Sequence, residues 1–99
     1  MHMYYVYILY SPLFKKTYTG FTANIERRLI EHNISEVTGF TLRYRTWVLI
    51  HSEKFESKIE AMQREKFLKS GQGREQVKTF VGEYLNSSQV RYPPEAEKD

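Results

Sequence analysis

The sequence predicts an α/β fold of the α+β kind, a small three-stranded antiparallel sheet covered by helices. Three short runs rich in tyrosine and β-branched residues, YYVYILY, KKTYTGF and TWVLIHSE, are too brief for typical helices, and turn or polar residues bound them as they bound strands. Three further segments carry helical spacing after a capping residue or a glycine break. At 99 residues without a cysteine, the chain has room for one domain whose core rests on packing alone.

The first strand is read at Tyr4 to Tyr10, and SPLF is a four-residue connection to KKTYTGF. Closing an antiparallel pair there sets Tyr10 against Lys15 and Tyr7 directly opposite Tyr18, so two phenols stand side by side on one face. Gly20 lets the backbone leave the sheet, and Thr22 or Asn24 caps a helix running to about Ile34. At about 100° per residue, Arg28 and His32 border the apolar stripe of Ile25 and Leu29, one turn apart, while Arg27 faces water. SEVTGFTLRYR reads as a loop with a basic second half, and TWVLIHSE as a strand apolar enough to be central or well covered.

Ser57 and Glu60 in SKIE match a capping box, which gives Glu60 a structural task. On the same helix Ala61, Glu65 and Leu68 share a face, leaving Glu65 a carboxylate between apolar residues and in need of a partner. SGQG breaks the chain at Gly71 and Gly73, and a third helix turns Val77, Val81, Tyr84 and Leu85 inward. From Ser87 the composition becomes polar and proline-containing; residues 1–86 are read as the domain and 87–99 as a mobile, disordered tail.

A net charge of +3 and a pI near 9.2 favour polyanionic partners. Eight tyrosines, six phenylalanines and one tryptophan exceed what a core this size must hold, so some rings are expected to meet solvent or substrate. The lack of cysteine excludes thiolate metal sites. The N-terminus lacks signal-peptide character and no apolar run approaches the ~20 residues of a membrane span, so a cytoplasmic protein with no membrane partner is expected. No phosphate-cradling glycine loop or nucleophile elbow is present. Oligomeric state is open, with a monomer favoured.

Each candidate group has an ordinary role when taken alone. Tyr7 and Tyr18 suit cross-strand packing, Arg28 a solvated helix face, His32 a border hydrogen bond, and Glu65 an ion pair. Together they suit phosphodiester hydrolysis, which requires an activated water, a cation at the phosphate and a stabilised leaving oxygen. A phenolate near positive charge can act as base, Arg28 can grip phosphate through its planar fork, and Glu65 can hold a hard divalent ion. Arg43, Arg45 and Arg74 are candidate nucleic-acid contacts.

YVYIL, TYTGFT, IERRLIEHN and EAMQREKFLK, in that order, resemble the GIY-YIG nuclease superfamily, particularly small single-domain members similar to the nuclease domain of the bacterial excision-repair endonuclease. The resemblance runs from about Tyr4 to Leu85 and includes an arginine eight residues past the motif glycine. It implies Tyr7 and Tyr18 as active-site phenols, Arg28 as the helix arginine, His32 as the histidine that some members use, and Glu65 as ligand of a single Mg²⁺ or Mn²⁺. Tyr5 stands at the first motif's glycine and Thr19 at the middle of the second; no late asparagine follows the glutamate helix at the expected distance. The implied activity is endonucleolytic hydrolysis of DNA by a tyrosine-activated water, with DNA repair among the roles of such domains. The alternatives are a non-catalytic nucleic-acid-binding module on the same scaffold and a protein-interaction domain using exposed aromatics.

Overall fold

The computed structural model describes residues 2–35 and 39–91, with side chains described as far as residue 87. β1 (Tyr4–Ser11), β2 (Lys16–Thr22) and β3 (Val48–Phe55) form an antiparallel sheet in the order β2-β1-β3. β1 is therefore central, and its alternate side chains feed two cores. Val6 and Ile8 pack against Ala61 and Leu68 of α3 (Lys58–Leu68) and Val77 of α4 (Gly71–Arg91). On the opposite face Tyr7 and Leu9 pack with Trp47 and with Ile25 and Leu29 of α1 (Ile25–Ile30). A strand covered on both faces needs no polar alternation, which is why YYVYILY has none.

The hairpin turns one residue later on each side than SPLF suggests. Residues 12–15 form the turn, and Ser11 pairs with Lys16. Pro12 lacks a ladder donor and suits the second position of a turn, so Ser11 remains in the strand. Lys15 closes the turn in the left-handed region at φ 56°, its N–H donating to the Ser11 carbonyl at 2.7 Å. Tyr7 consequently faces Gly20, and Tyr18 faces Leu9, which corrects the expected Tyr7–Tyr18 pairing. Because both strand ends moved by one residue, side-chain parity survived. The two phenols are diagonal neighbours on one face with ring centroids 6.3 Å apart.

β3 begins at Val48 and lies at the sheet edge, not at its centre. Its apolar residues are used another way: Ile8 pairs with His51 but Leu9 with Leu49, a bulge that sends Leu49 to the core beneath α1 and Ile50 to the core beneath α3 and α4. Exposed Ser52 and Lys54 face outward, as an edge that resists further strand pairing requires. Where a loop was expected, Phe40–Arg43 forms a short helix, α2; residues 36–38 of that segment are outside the described residues.

The Ser57 hydroxyl caps α3 by accepting the Glu60 N–H at 3.3 Å. The glycines that follow make a corner and do not merely separate helices, since α4 already begins at Gly71. A Cβ on Gly73 would collide with the backbone of Phe67 and Leu68, so only glycine lets α4 start this close to the end of α3. Val77 is buried and Val81 and Tyr84 are half-buried, but Leu85 is exposed, against expectation. α4 continues to Arg91, five residues into the segment read as a tail; residues 92–99 are outside the described residues. Among the described residues, no helix is long and apolar enough to cross a membrane.

A polar clamp fastens β3 to both covering helices. Arg64 of α3 donates to the two Glu53 carboxylate oxygens at 2.8 and 2.9 Å and to Gln76 of α4 at 2.8 Å. His51 lies 2.8 Å from Glu53 and stacks on Phe80 with centroids 3.7 Å apart. The Arg64 hydrogen bond, with that of His51, holds the Glu53 carboxyl below its ordinary value despite partial burial. A depressed carboxylate stabilises the fold above the ordinary carboxylate range and loses that contribution as pH falls through its folded value. Glu53→Ala should therefore lower unfolding free energy by about 1 kcal/mol at neutral pH. Urea titrations of the two proteins should converge as the pH is taken below the carboxylate range; a gap that persists in acid would refute the ionic origin.

Candidate active site

The site is assembled on the sheet face beneath α1. Asn24 caps α1 by accepting the Arg27 N–H at 3.0 Å, while its own N–H donates to the Thr22 hydroxyl at 3.1 Å. The helix then widens into a π-helical turn, Glu31–Ser35, a distortion common at functional sites. A regular helix would leave His32 at the border of the apolar stripe; here it is fully buried.

Three polar anchors fix that turn. The Asn33 side chain donates to the Trp47 carbonyl at 3.0 Å and accepts the Trp47 N–H at 2.7 Å. Arg45 Nε donates to the His32 carbonyl at 2.7 Å. The Trp47 indole N–H, buried, donates to the Thr41 carbonyl at 2.8 Å. Arg45, expected at a nucleic-acid surface, thus holds the backbone that carries His32. The other two arginines lie elsewhere: Arg43 is exposed with its guanidinium 6.0 Å from the Tyr44 ring, and Arg74 lines a groove beside Tyr18.

The imidazole meets both phenols. Tyr7 Oη and His32 Nε2 share a hydrogen bond of 2.9 Å, and Tyr7 is only 2% exposed. Tyr18, half-buried, brings its ring centroid within 4.7 Å of His32. Gly20 is what makes room. It stays within β2 opposite Tyr7 and does not carry the chain out of the sheet. A Cβ there would stand 2.6 Å from Tyr7 Oη, 2.8 Å from Cζ and 3.2 Å from Tyr18 Cε2.

Opposing influences act on the phenol, and burial prevails, raising its pKa. Burial, then the neighbouring Tyr18, raise the Tyr7 pKa; a hydrogen bond from Arg28 and its positive charge oppose them, and the Glu65 carboxylate adds to the rise. Arg28 and Glu65 therefore both act electrostatically on the Tyr7 hydroxyl. Arg28 Nη1 also donates to Glu31 at 2.9 Å, whereas Arg27 is exposed. Glu65, on α3, has its ion-pair partner in Lys69, 2.9 Å away. Among the described residues no group of three or more histidines, cysteines, aspartates or glutamates could hold a metal. A lone carboxylate suits a hard divalent ion that keeps much of its water and takes phosphate oxygens, and does not suit a zinc-type cage.

Sequence spacing did not reveal the Asn33–Trp47 clamp or the role of Arg45. Only the Asn adjoining His32 was a local signal, and its partner is fourteen residues away.

Comparison with known proteins places these residues in context. The family model described as the GIY-YIG catalytic domain matches residues 3–78. A UPF0213 protein of Natronomonas pharaonis is 51% identical over 67 residues, covering 67% of this chain and 76% of its own. One from Staphylococcus haemolyticus is 37% identical over 78 residues, covering 79% and 94%. The solution NMR structure of a UPF0213 protein from Bacillus halodurans superimposes with a TM-score of 0.53 at 28% identity, covering 92% of this chain and 99% of that one. These relatives carry a family designation and no stated activity, but the solved one has the same sheet-and-helix architecture.

The contact beneath Tyr7 predicts a specific sensitivity. Gly20→Ala forces a methyl against a ring that is itself packed, and overpacking of this kind costs about 1–3 kcal/mol. Thermal or urea unfolding should register that loss, and the Tyr7 and His32 ring signals in NMR spectra should shift. A variant as stable as the parent, with unchanged ring signals, would show that Gly20 is not a spacer.

Proposed function

The chain belongs to the GIY-YIG catalytic-domain family, and from that premise we propose that it is a metal-dependent endonuclease hydrolysing DNA phosphodiester bonds with a tyrosine-activated water. The observation that carries the reading is the Tyr7–His32 hydrogen bond, made by a buried phenol that Arg28 also contacts. A guanidinium only donates hydrogen bonds. The phenol oxygen accepts from Arg28 and keeps its proton for His32 Nε2. Since burial holds Tyr7 protonated in the resting protein, the base is the pair: Tyr7 takes a proton from water as it passes its own to the imidazole.

Arg28 supplies the phosphate clamp. Its ion pair with Glu31 is partly exposed, with side-chain exposures of 31% and 36%, so exchanging that carboxylate for a phosphate costs little. Tyr18, at the solvent side of the cluster, contacts the same phosphate. Glu65 would hold a single Mg²⁺ or Mn²⁺, which when bound supplies charge neutralisation at the scissile phosphate and leaving oxygen. Lys69 would release Glu65 in that state. The same Lys69–Glu65 ion pair favours a second reading, a non-catalytic nucleic-acid-binding module in which the carboxylate stays neutralised.

Incubation with single-stranded, duplex, branched and flapped DNA, with and without Mn²⁺, tests both. The parent should cleave at least one substrate only with metal. Tyr7→Phe should slow cleavage by about 10²–10⁴, and Glu65→Ala should abolish it while leaving the fold and salt-dependent DNA affinity in place. Full activity of the Glu65 variant would refute the assignment; salt-dependent binding without cleavage by the parent would support the binding module.

A further inference from the structure

A groove of about 680 Å³ runs from Tyr18 across the edge of β2 to the first half of α4, a size typical of small-ligand sites. Its floor is apolar: Tyr10 of β1, Leu68 of α3, and Val77 and Val81 of α4. Its rim is cationic, formed by Lys15 of the hairpin, Lys69 after α3, and Arg74 and Lys78 of α4, all exposed. No carboxylate lines it among the described residues. Lys78 reaches Glu75 at 3.3 Å, but that pair is largely solvated, at 75% and 72% exposure, and yields readily to another anion. At the inner end Phe40, 45% exposed, has its ring centroid 6.4 Å from that of Tyr18.

We propose that this groove is a nucleotide subsite: it takes one unstacked nucleotide of the strand, with the base on the apolar floor at the α3 and α4 side of the sheet, the flanking phosphates on the lysine and arginine rim, and the strand continuing over the β2 edge toward Tyr18 and Phe40. Four cations alone would suit any phosphate. The apolar floor calls for a ligand that also has a flat apolar body, and a nucleic-acid strand repeats that combination at every residue. Tyr18 belongs to both the groove and the phenol cluster, so a nucleotide held here adjoins the phosphate presented to Tyr7 and Arg28. A base lying on the floor has left its stack, so the strand is unpaired at that position. The subsite's place beside a scissile phosphate rests on the nuclease reading, whereas its affinity for a nucleotide does not.

The test separates the two. Thymidine 3′,5′-bisphosphate, one nucleoside with a phosphate on each side, is titrated into the full chain in metal-free buffer and followed by amide chemical shifts. Saturable binding is expected, with the largest shifts from Lys15 to Thr19 and from Leu68 to Val81. Thymidine and inorganic pyrophosphate should each bind at least tenfold more weakly, because each offers only half of the recognised chemistry. The Lys15→Glu/Lys78→Glu double variant should lose at least tenfold in affinity while retaining its dispersed spectrum. Pyrophosphate binding as tightly as the bisphosphate, shifts scattered without saturation, or undiminished binding by the double variant would each overturn the subsite. Nucleotide binding by a protein that cleaves no DNA would overturn the nuclease reading and leave the subsite standing; cleavage without nucleotide binding would do the reverse.

Discussion

A phenol with almost no exposure cannot leave its hydroxyl unpaired without a desolvation cost of about 1–3 kcal/mol, and the architecture on one face of the sheet answers that requirement. Tyr7 finds His32 Nε2 at 2.9 Å. The imidazole is itself wholly buried and could not be placed there by a helix six residues long. The π-helical turn brings it inward, Asn33 ties the turn to the Trp47 backbone on both its edges, and Arg45 holds the His32 carbonyl. Across the sheet the glycine opposite Tyr7 supplies the missing volume. One hydrogen bond thus explains a glycine, a distorted helix and a clamp that are distant in the chain.

The division of β1 into two faces lets this happen without weakening the domain. Val6 and Ile8 belong to an apolar core closed by α3 and α4, where no polar side chain is asked to do chemistry. Tyr7 and Leu9 belong to an aromatic core in which the buried phenol of Tyr7 and the imidazole of His32 satisfy each other. Polar clamping on the first side is confined to the β3 edge, where Glu53 and Arg64 remain in partial contact with water and so avoid the full penalty of buried charge.

What the sequence disclosed follows the same division. The strand at YYVYILY was legible from its aromatic and β-branched content and its bounding turn, the helices from Ile25 and Lys58 from their period-3.6 spacing, and the shared face of Tyr7 and Tyr18 from strand parity. Register was not: Pro12 and the left-handed Lys15 decided it; the direct pairing of the phenols was lost, and their shared face survived only because the displacement was even. Of the two places open to TWVLIHSE, central or well covered, the strand takes the second: it lies at the edge, and a bulge lets Leu49 and Ile50 pack into the two cores. Leu85 failed because inward spacing on a helix means burial only as far as there is sheet beneath it. His32 was found by type and spacing, but its depth depends on Asn33, Trp47 and Arg45, which are joined by tertiary contacts that no local pattern encodes.

Electrostatics around the cluster show how a cationic surface and a buried phenol can coexist in a protein at rest. Three of the charged groups proposed to meet phosphate or metal pair with a near neighbour: Arg28 with Glu31, Glu65 with Lys69 and Lys78 with Glu75. These pairs span three or four residues along or just beyond helices, where ion pairs contribute only a few tenths of a kcal/mol each. They satisfy the charges without committing them. A polyanion offering several phosphates at once competes with each pair separately and gains from counterion release along its length, so the exchange becomes favourable for an extended strand before it does for a single anion. By contrast, the Tyr7–His32 bond joins two buried side chains and is not an ion pair, so an arriving polyanion does not exchange for either partner. The molecule thus keeps exchangeable contacts at its rim and a fixed one at its centre, an order in which binding can rearrange the charges while leaving the phenol where it stands.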